Sequence, residues 1–187
     1  GTTQAGAAPS RGGSGRGRER AKWIKDTLGG KAKVAYVNKE AIQVLIARHK
    51  GVLDGVKTAG GGVEIISDIN AGKITNDAGF QAMNTILQAH PDVNVVLGGD
   101  TLSLGALAAM EAAGKADAEK VYISGIDGDN EALTKISAGN TAYKASFAFA
   151  YPMMGYAWGQ YAADWRDGKE IPMVMQFNAN DLSQAGA

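Results

Sequence analysis

No cysteine occurs among the 187 residues, which excludes disulfides, thiolate metal sites and a cysteine nucleophile, and fits a cytoplasm or a periplasm equally. Charge of one sign is lacking too. Lys+Arg and Asp+Glu each number 19, so no global field draws the chain to nucleic acid or an anionic membrane, and any charge-driven partner must be met locally. Only two histidines are present; His49 falls on an apolar helical stripe and His90 just past a helix end, positions that suit structural roles. The chain opens on Gly, with neither a basic segment nor an apolar stretch behind it, and reads as a piece of something longer.

Residues 1–20, "GTTQAGAAPSRGGSGRGRER", carry no large apolar side chain, so burial could not offset the entropy of ordering them, and the composition predicts a disordered tail. Its arginines (11, 16, 18 and 20) lack the interleaved aromatics that would stack RNA bases, which favours a solvated tail. From Ala21 onward a hydrophobic content of 45% for the chain and its length suit one globular domain, 21–187, though an incomplete one.

A strand-then-helix beat follows. "KAKVAYV" (31–37) reads as strand. After it Ile42, Leu45, Ile46, His49, Val52, Leu53 and Val56 recur at helical spacing, predicting a helix that buries this stripe. "GVEIISDI" is a second strand; "NDAGFQAMNTILQAH" a helix with Phe80, Met83, Ile86 and Leu87 inward; "VNVVL" a third strand; and "TLSLGALAAMEAAG" a helix ending on Gly114. "VYISGID" is the fourth strand, with a helix near Asn130–Ser137. "TAYKASFAF" is the fifth, then come the helix "PMMGYAWGQYAADWRDG" and a last strand "IPMVMQF". Such alternation predicts a doubly wound α/β domain, a parallel sheet with helices on both faces.

In such sheets ligands bind outside the carboxyl ends of the strands. The outlets gather Asn38, Lys39 and Glu40; Asp68 and Asn70; Gly99 and Asp100; Asp127; and Phe149 and Tyr151 on one rim. Several chemistries are excluded there. "VAYVNKEAIQ" lacks the glycines of a dinucleotide fingerprint, and no phosphate-binding G-x-x-x-x-G-K-[ST] loop occurs. "DGDNEA" spaces acids as a calcium loop does, but Ala132 stands where the turn glycine belongs and Ala138 where the bidentate glutamate belongs. Asp, Asn, Arg and aromatic side chains together suit a neutral polyol: carboxylates accept from paired hydroxyls, guanidinium donates in a fork, and rings cover C–H patches.

"HPDVNVVLGGDTLSLGALAAMEAAGK", "VYISGIDGDNEAL", "ARHKGV" and "GYAWGQYAADWRDGKEIP" together resemble the carboxy-terminal part of the periplasmic sugar-binding proteins of ABC transporters, the ribose- and xylose-binding type, over about Lys22–Asn178. The resemblance implies a Rossmann-like type I lobe that closes with a second lobe over a monosaccharide, in the periplasm, without cofactor, metal or catalysis. The assembled receptor would then dock on an ABC permease. The family's "G-[FIV]-D" sugar ligand falls on Asp127, against a role as cap of the following helix. Its "R-x-x-G" arginine falls on Arg48, against a solvated side chain beside the apolar stripe.

The chain departs from the family's pattern at other sites. Gly99 replaces a ligand Asn, leaving Asp100 as ligand or as cap of the helix from Thr101. Phe149 replaces a Gln or Asn, and would either stack on the sugar or pack in the core; Phe147, Phe149 and Tyr151 alternate as on one strand face. Asn38 and Lys39 lie in a loop without the usual glycines and are the weaker candidates.

Residues 145–163 run without a charge, but Pro152, three tyrosines, Ser146 and Gln160 argue for a strand plus an amphipathic helix, not a membrane span. The resemblance implies that this helix, about 152–168, packs on an amino-terminal lobe that these residues do not contain. It would then expose Met154, Tyr156, Trp158 and Tyr161, and the isolated chain would self-associate. Two other functions share these features: the sugar-responsive effector domain of a lac-repressor-type regulator, and a small α/β enzyme using Asp100 and Asp127 as an acid–base pair.

Overall fold

The computed structural model describes residues 26–40, 43–57, 62–149, 151–173 and 180–183. The tail expected over residues 1–20 lies outside them, as do Ile42 and most of the strand expected over 171–177. The elements are β1 (Ala32–Asn38), α1 (Gln43–Lys57), β2 (Val63–Asn70), α2 (Asn76–Ala89), β3 (Val95–Gly98), α3 (Asp100–Ala112), β4 (Tyr122–Asp127), α4 (Asn130–Ala138), β5 (Tyr143–Ala148), α5 (Tyr151–Arg166) and β6 (Asn180–Ser183). One sheet carries all six strands in the order β2-β1-β3-β4-β5-β6. The pairings from β2 to β5 are parallel, and β6 runs antiparallel to β5.

The central strands read as unbroken apolar runs because both of their faces are covered. On one face Ala35, Val37, Val96, Ile123 and Tyr143 meet Met83 and Ile86 of α2, Leu102, Leu107 and Met110 of α3 and Ile136 of α4. On the other, Val34, Tyr36, Val95, Leu97, Tyr122 and Ala145 meet Val56 of α1, with Val52 and Leu28 packed alongside. The alternation of neighbours such as Val34/Ala35 and Tyr36/Val37 between the clusters is the period of two that a strand imposes.

α3 is buried nearly all round, which the small and apolar residues from Leu102 to Met110 permit. Glycines let it touch α2 backbone to backbone: a Cβ on Gly105 would stand 2.0 Å from the Asn76 carbonyl oxygen, and one on Gly79 2.2 Å from that of Leu102. α2 starts on Thr75, whose hydroxyl accepts from the Ala78 amide at 3.1 Å. As expected, Met83 and Ile86 are buried, with Phe80 and Leu87 packed against them.

Four expectations change. The α1 stripe is only half-buried: Val56 is in the core, whereas Ile46 is 44% exposed. Ile171–Met173 are not strand, and the edge strand is β6, antiparallel and further along. Asp100 is the first residue of α3 with Gly99 at its N-cap, so Asp100 does not cap that helix. Phe147 is buried in β5, but Tyr151 opens α5, so Phe147, Phe149 and Tyr151 do not share a strand.

The uncharged stretch does divide into β5 and α5, and among the described residues no helix is long and apolar enough to cross a membrane. No residue of α5 is buried; Met153, Tyr156, Trp158 and Trp165 are 63%, 77%, 67% and 72% exposed, while Met154 and Tyr161 are partly covered.

Substituting Gly105→Ala forces α2 and α3 apart and is expected to cost about 2 kcal/mol, the range for overpacking a close contact. Urea unfolding of the two proteins measures it; an unchanged midpoint would contradict the close approach.

Candidate functional site

In the order β2-β1-β3 the chain leaves β1 to one side for β2 and returns on the other as β3, so the carboxyl ends of β1 and β3 border the switch point where the flanking loops diverge. A hollow of about 460 Å³, counted out to its open mouth, lies there. Asn38 and Lys39 leave β1 into it, Gly99 and Thr101 begin α3 beside it, Arg48 reaches in from α1, and Asp127 closes it from β4. Tyr36, Leu45, Leu102 and Ile74 supply its apolar walls.

Asp127 ends β4 with φ of +126°, the one non-glycine residue with positive φ among those described. That region is costly for a residue with a Cβ, and such strain persists where surrounding contacts over-determine it. Here the determinant is Asp100. Its carboxylate, wholly buried, accepts from the amides of Gly128 and Asp129 at 2.8 and 2.7 Å, from the Tyr143 hydroxyl at 2.7 Å and from the Ser146 hydroxyl at 2.7–2.8 Å. Gly125 makes the space, since a Cβ there would stand 1.7 Å from an Asp100 oxygen. Asp100 thus binds the turn after Asp127 and has no lone pair to spare for a ligand: the expectation that it is a ligand is corrected, because its partners are all protein donors inside the core.

Asp127 itself keeps 34% of its side chain exposed and pairs with Arg48 at 3.3 Å, long for a charge-assisted contact. Burial pushes its pKa up; Arg48 pulls the other way, and Asp100 and Asp129 push up again. Gly99 stands beside it, with space for a Cβ 3.6 Å from an Asp127 oxygen. The guanidinium of Arg48 also lies 5.4 Å from the centre of the Phe149 ring, a cation–π contact. Phe149 is tilted by 55° against Tyr151, centroids 5.7 Å apart. The hydroxyl of Tyr151 has its pKa raised by burial first, then by the charge of Asp127 and a hydrogen bond to it.

On the opposite side of the hollow Asn38, buried at 7% exposure, donates from Nδ2 to Asp68 at 2.8 Å. Asp68 also contacts Nε2 of His49 at 2.7 Å, and Glu40 contacts Nδ1 of the same ring, which stacks on Tyr36 at 4.9 Å and 10°. This linked group was not read from the sequence, where His49 counts only as a stripe residue. The signal present was the collection of Asn38, Glu40 and Asp68 at adjacent strand outlets.

Of the expected site residues, Asp127, Arg48, Gly99 and Asn38 line one hollow and Phe149 adjoins it through Arg48, while Asp100 lies behind it. Asn70 turns to its own loop, accepting from the Gly72 amide. Asp129, of the acid-spaced "DGDNEA", accepts from Thr101 and sits at the N-cap of α4. Among the described residues no group of three acidic or His side chains is placed to hold a metal.

A doubly wound sheet with an open, half-polar hollow at its switch point is the architecture of a small-molecule-binding lobe. The model of the periplasmic binding protein domain matches residues 14–170, and the chain belongs to that family. A D-apiose import binding protein of Actinobacillus succinogenes is 35% identical over 111 residues, 57% of this chain and 35% of that protein. Its counterpart in Paraburkholderia graminis is 32% identical over 114 residues, 56% and 35% of the two chains. The matched stretch spans about a third of the length of these curated relatives.

A solved myo-inositol binding protein of Caulobacter, bound to myo-inositol, superposes with TM-score 0.77 at 26% identity, over 99% of this chain and 62% of that one. An ABC transporter periplasmic solute binding protein of Actinobacillus succinogenes with bound D-allose gives TM-score 0.80 over 93% and 60% of the chains; at 22% identity that likeness concerns the fold.

Because burial raises and Arg48 lowers the pKa of Asp127, its carboxyl should titrate above the ordinary range near 4, and Arg48→Met should move the midpoint higher still. With the folded pKa above the unfolded one, Asp127 binds its proton more tightly in the fold, so its contribution to stability falls as pH rises from the unfolded to the folded value. Carbon-detected NMR titration of the carboxyl reads both midpoints; a lower one in the Arg48 variant would contradict this electrostatic balance.

Proposed function

We propose that this chain is the carboxy-terminal sugar-binding lobe of a periplasmic receptor serving an ABC importer, and that it holds a monosaccharide without catalysis. The observation that carries this is the pairing of Asp127 with Arg48 at the switch-point hollow. A carboxylate accepting from two hydroxyls beside a forked donor is the recognition that a vicinal diol calls for, and Ile74, Leu45 and Tyr36 offer apolar surface for ring C–H groups. Membership in the periplasmic binding protein domain family and the names of the import binding proteins it is similar to support the same role, an exported location and a permease as partner.

The hollow has an open mouth, so we take it as one wall of a site. A second lobe would supply the other, and ligand contacts to both would select the closed state that a permease recognises. One wall alone gives weak binding. Calorimetry of this chain against D-apiose, D-allose, myo-inositol and D-ribose should therefore show no tight complex, while NMR titration at high sugar concentration should shift the Asp127 and Arg48 signals. Asp127→Asn should weaken that binding about tenfold or more, the loss of a charge-assisted acceptor. Submicromolar affinity would overturn the half-site, and no shift with any of the four sugars would overturn the sugar reading.

The domain reading rests on α5. Tyr151, Trp158 and Trp165 recur at a spacing of seven along one side of α5 and are all exposed, an apolar face larger than scattered surface residues account for, and we take residues 152–168 as the helix that packs against the second lobe. In isolation that face should pair with itself. Sedimentation velocity should find oligomers that Trp158→Glu returns to monomer; a monomeric parent chain would contradict this.

A further inference from the structure

His49 has a carboxylate on each ring nitrogen, Glu40 from the β1–α1 loop at Nδ1 and Asp68 from the end of β2 at Nε2. A neutral imidazole donates from one nitrogen only, so the arrangement is fully satisfied by the imidazolium. The far side of Asp68 accepts from Nδ2 of Asn38, which fixes the orientation of that carboxamide. With Nδ2 so engaged, Oδ1 is the end of Asn38 left for other work; the side chain is buried, borders the hollow, and its Oδ1 has no hydrogen-bond partner. A buried acceptor without a donor is rare and marks a place where a donor is due.

We propose that His49 is a positioning residue: as an imidazolium clamped between Glu40 and Asp68, it holds Asn38 so that Oδ1 accepts a hydroxyl proton of the ligand on the side of the hollow opposite Asp127. The inference rests on the polyol reading above and deepens it, because it assigns a second, neutral acceptor to the site. Asp127 then serves the hydroxyls that pair with Arg48, and Asn38 serves a further hydroxyl across the ring. The ligand class is thus a polyol with hydroxyls on both edges.

The clamp has a pH sense. Burial alone would lower the pKa of His49, but the hydrogen bonds and charges of Glu40 and Asp68 outweigh it, and the net shift is upward from 6.5. The groups that face the ring are those two carboxylates and the Tyr36 ring from β1; Arg48 and Lys50 flank it on α1. The doubly bonded state is therefore complete below the ordinary histidine pKa and is lost as pH rises through the raised one.

The test uses the full 187-residue chain. Long-range 1H–15N NMR should find both His49 ring nitrogens protonated at pH 6, and the Asn38 Nδ2 protons should shift with the same midpoint as the His49 ring on raising the pH to 9. Glu40→Gln should lower both midpoints together, a coupled change that a packing role for His49 would not produce. On titration with D-apiose and myo-inositol, Asn38 Nδ2 should shift along with Asp127. His49→Phe, which keeps the stack on Tyr36, should weaken sugar binding about tenfold at pH 6 and abolish its pH dependence, with the unfolding midpoint checked alongside.

Independent midpoints for His49 and Asn38 would overturn the positioning role. A sugar that shifts Asp127 and Arg48 but leaves Asn38 unmoved would overturn the second acceptor while leaving the sugar reading in place. Sugars that shift none of the three would overturn both.

Discussion

The carboxylate of Asp100 is the constraint on which the site depends. Placed in the first turn of α3, where a helix N-terminus favours negative charge, it gathers hydrogen bonds from the turn after β4 and from two side chains of β5. Three elements are thereby locked to one another beneath the hollow. The positive φ of Asp127 is tolerable because the two residues after it, Gly128 and Asp129, are held by that carboxylate. A buried polar network of this kind specifies one arrangement because each member is satisfied only there. The strained outlet of β4 aims Asp127 at Arg48, and Arg48 in turn is seated on Phe149.

The two sides of the hollow are built differently. Around Asp127 the partners are a cation and two aromatic rings, so its recognition is electrostatic and geometrically forked. Around Asn38 the imidazolium of His49 offsets one of the two carboxylates that flank it, Asp68 and Glu40, and what reaches the hollow is an amide. An amide at that place avoids the close like-charge repulsion with Asp127 that a second free carboxylate facing the hollow would bring.

The fold was legible in the sequence because its signals are periodic and local. Strand-sized apolar runs such as "KVAYV" and helical stripes such as Met83/Ile86 declare a parallel sheet covered on both faces, and the order of polar residues at strand outlets marks the rim. Asp127 and Arg48 were legible through their motifs. What was not legible depends on contacts between elements distant in the chain. Asp100 reads as a rim residue because it follows β3, and only the missing Cβ at Gly125 and the inward Ser146 and Tyr143 draw it into the core. His49 reads as one more stripe position, since neither Glu40 nor Asp68 announces by its spacing that it will meet a given imidazole nitrogen. The antiparallel strand β6 was not legible because Asn180–Ser183, which pairs with β5, carries little strand propensity.

α5 carries Trp158 and Trp165, both well exposed, and neither borders the hollow. Indole emission depends on the polarity of its surroundings, so light from these two side chains monitors whatever comes to rest on the helix. Filling of the hollow would leave it largely unchanged. In a chain carrying Trp23→Phe, which leaves only the two tryptophans of α5, a colour change on adding a small molecule would mean that this helix had acquired or lost a cover, a built-in optical gauge of assembly.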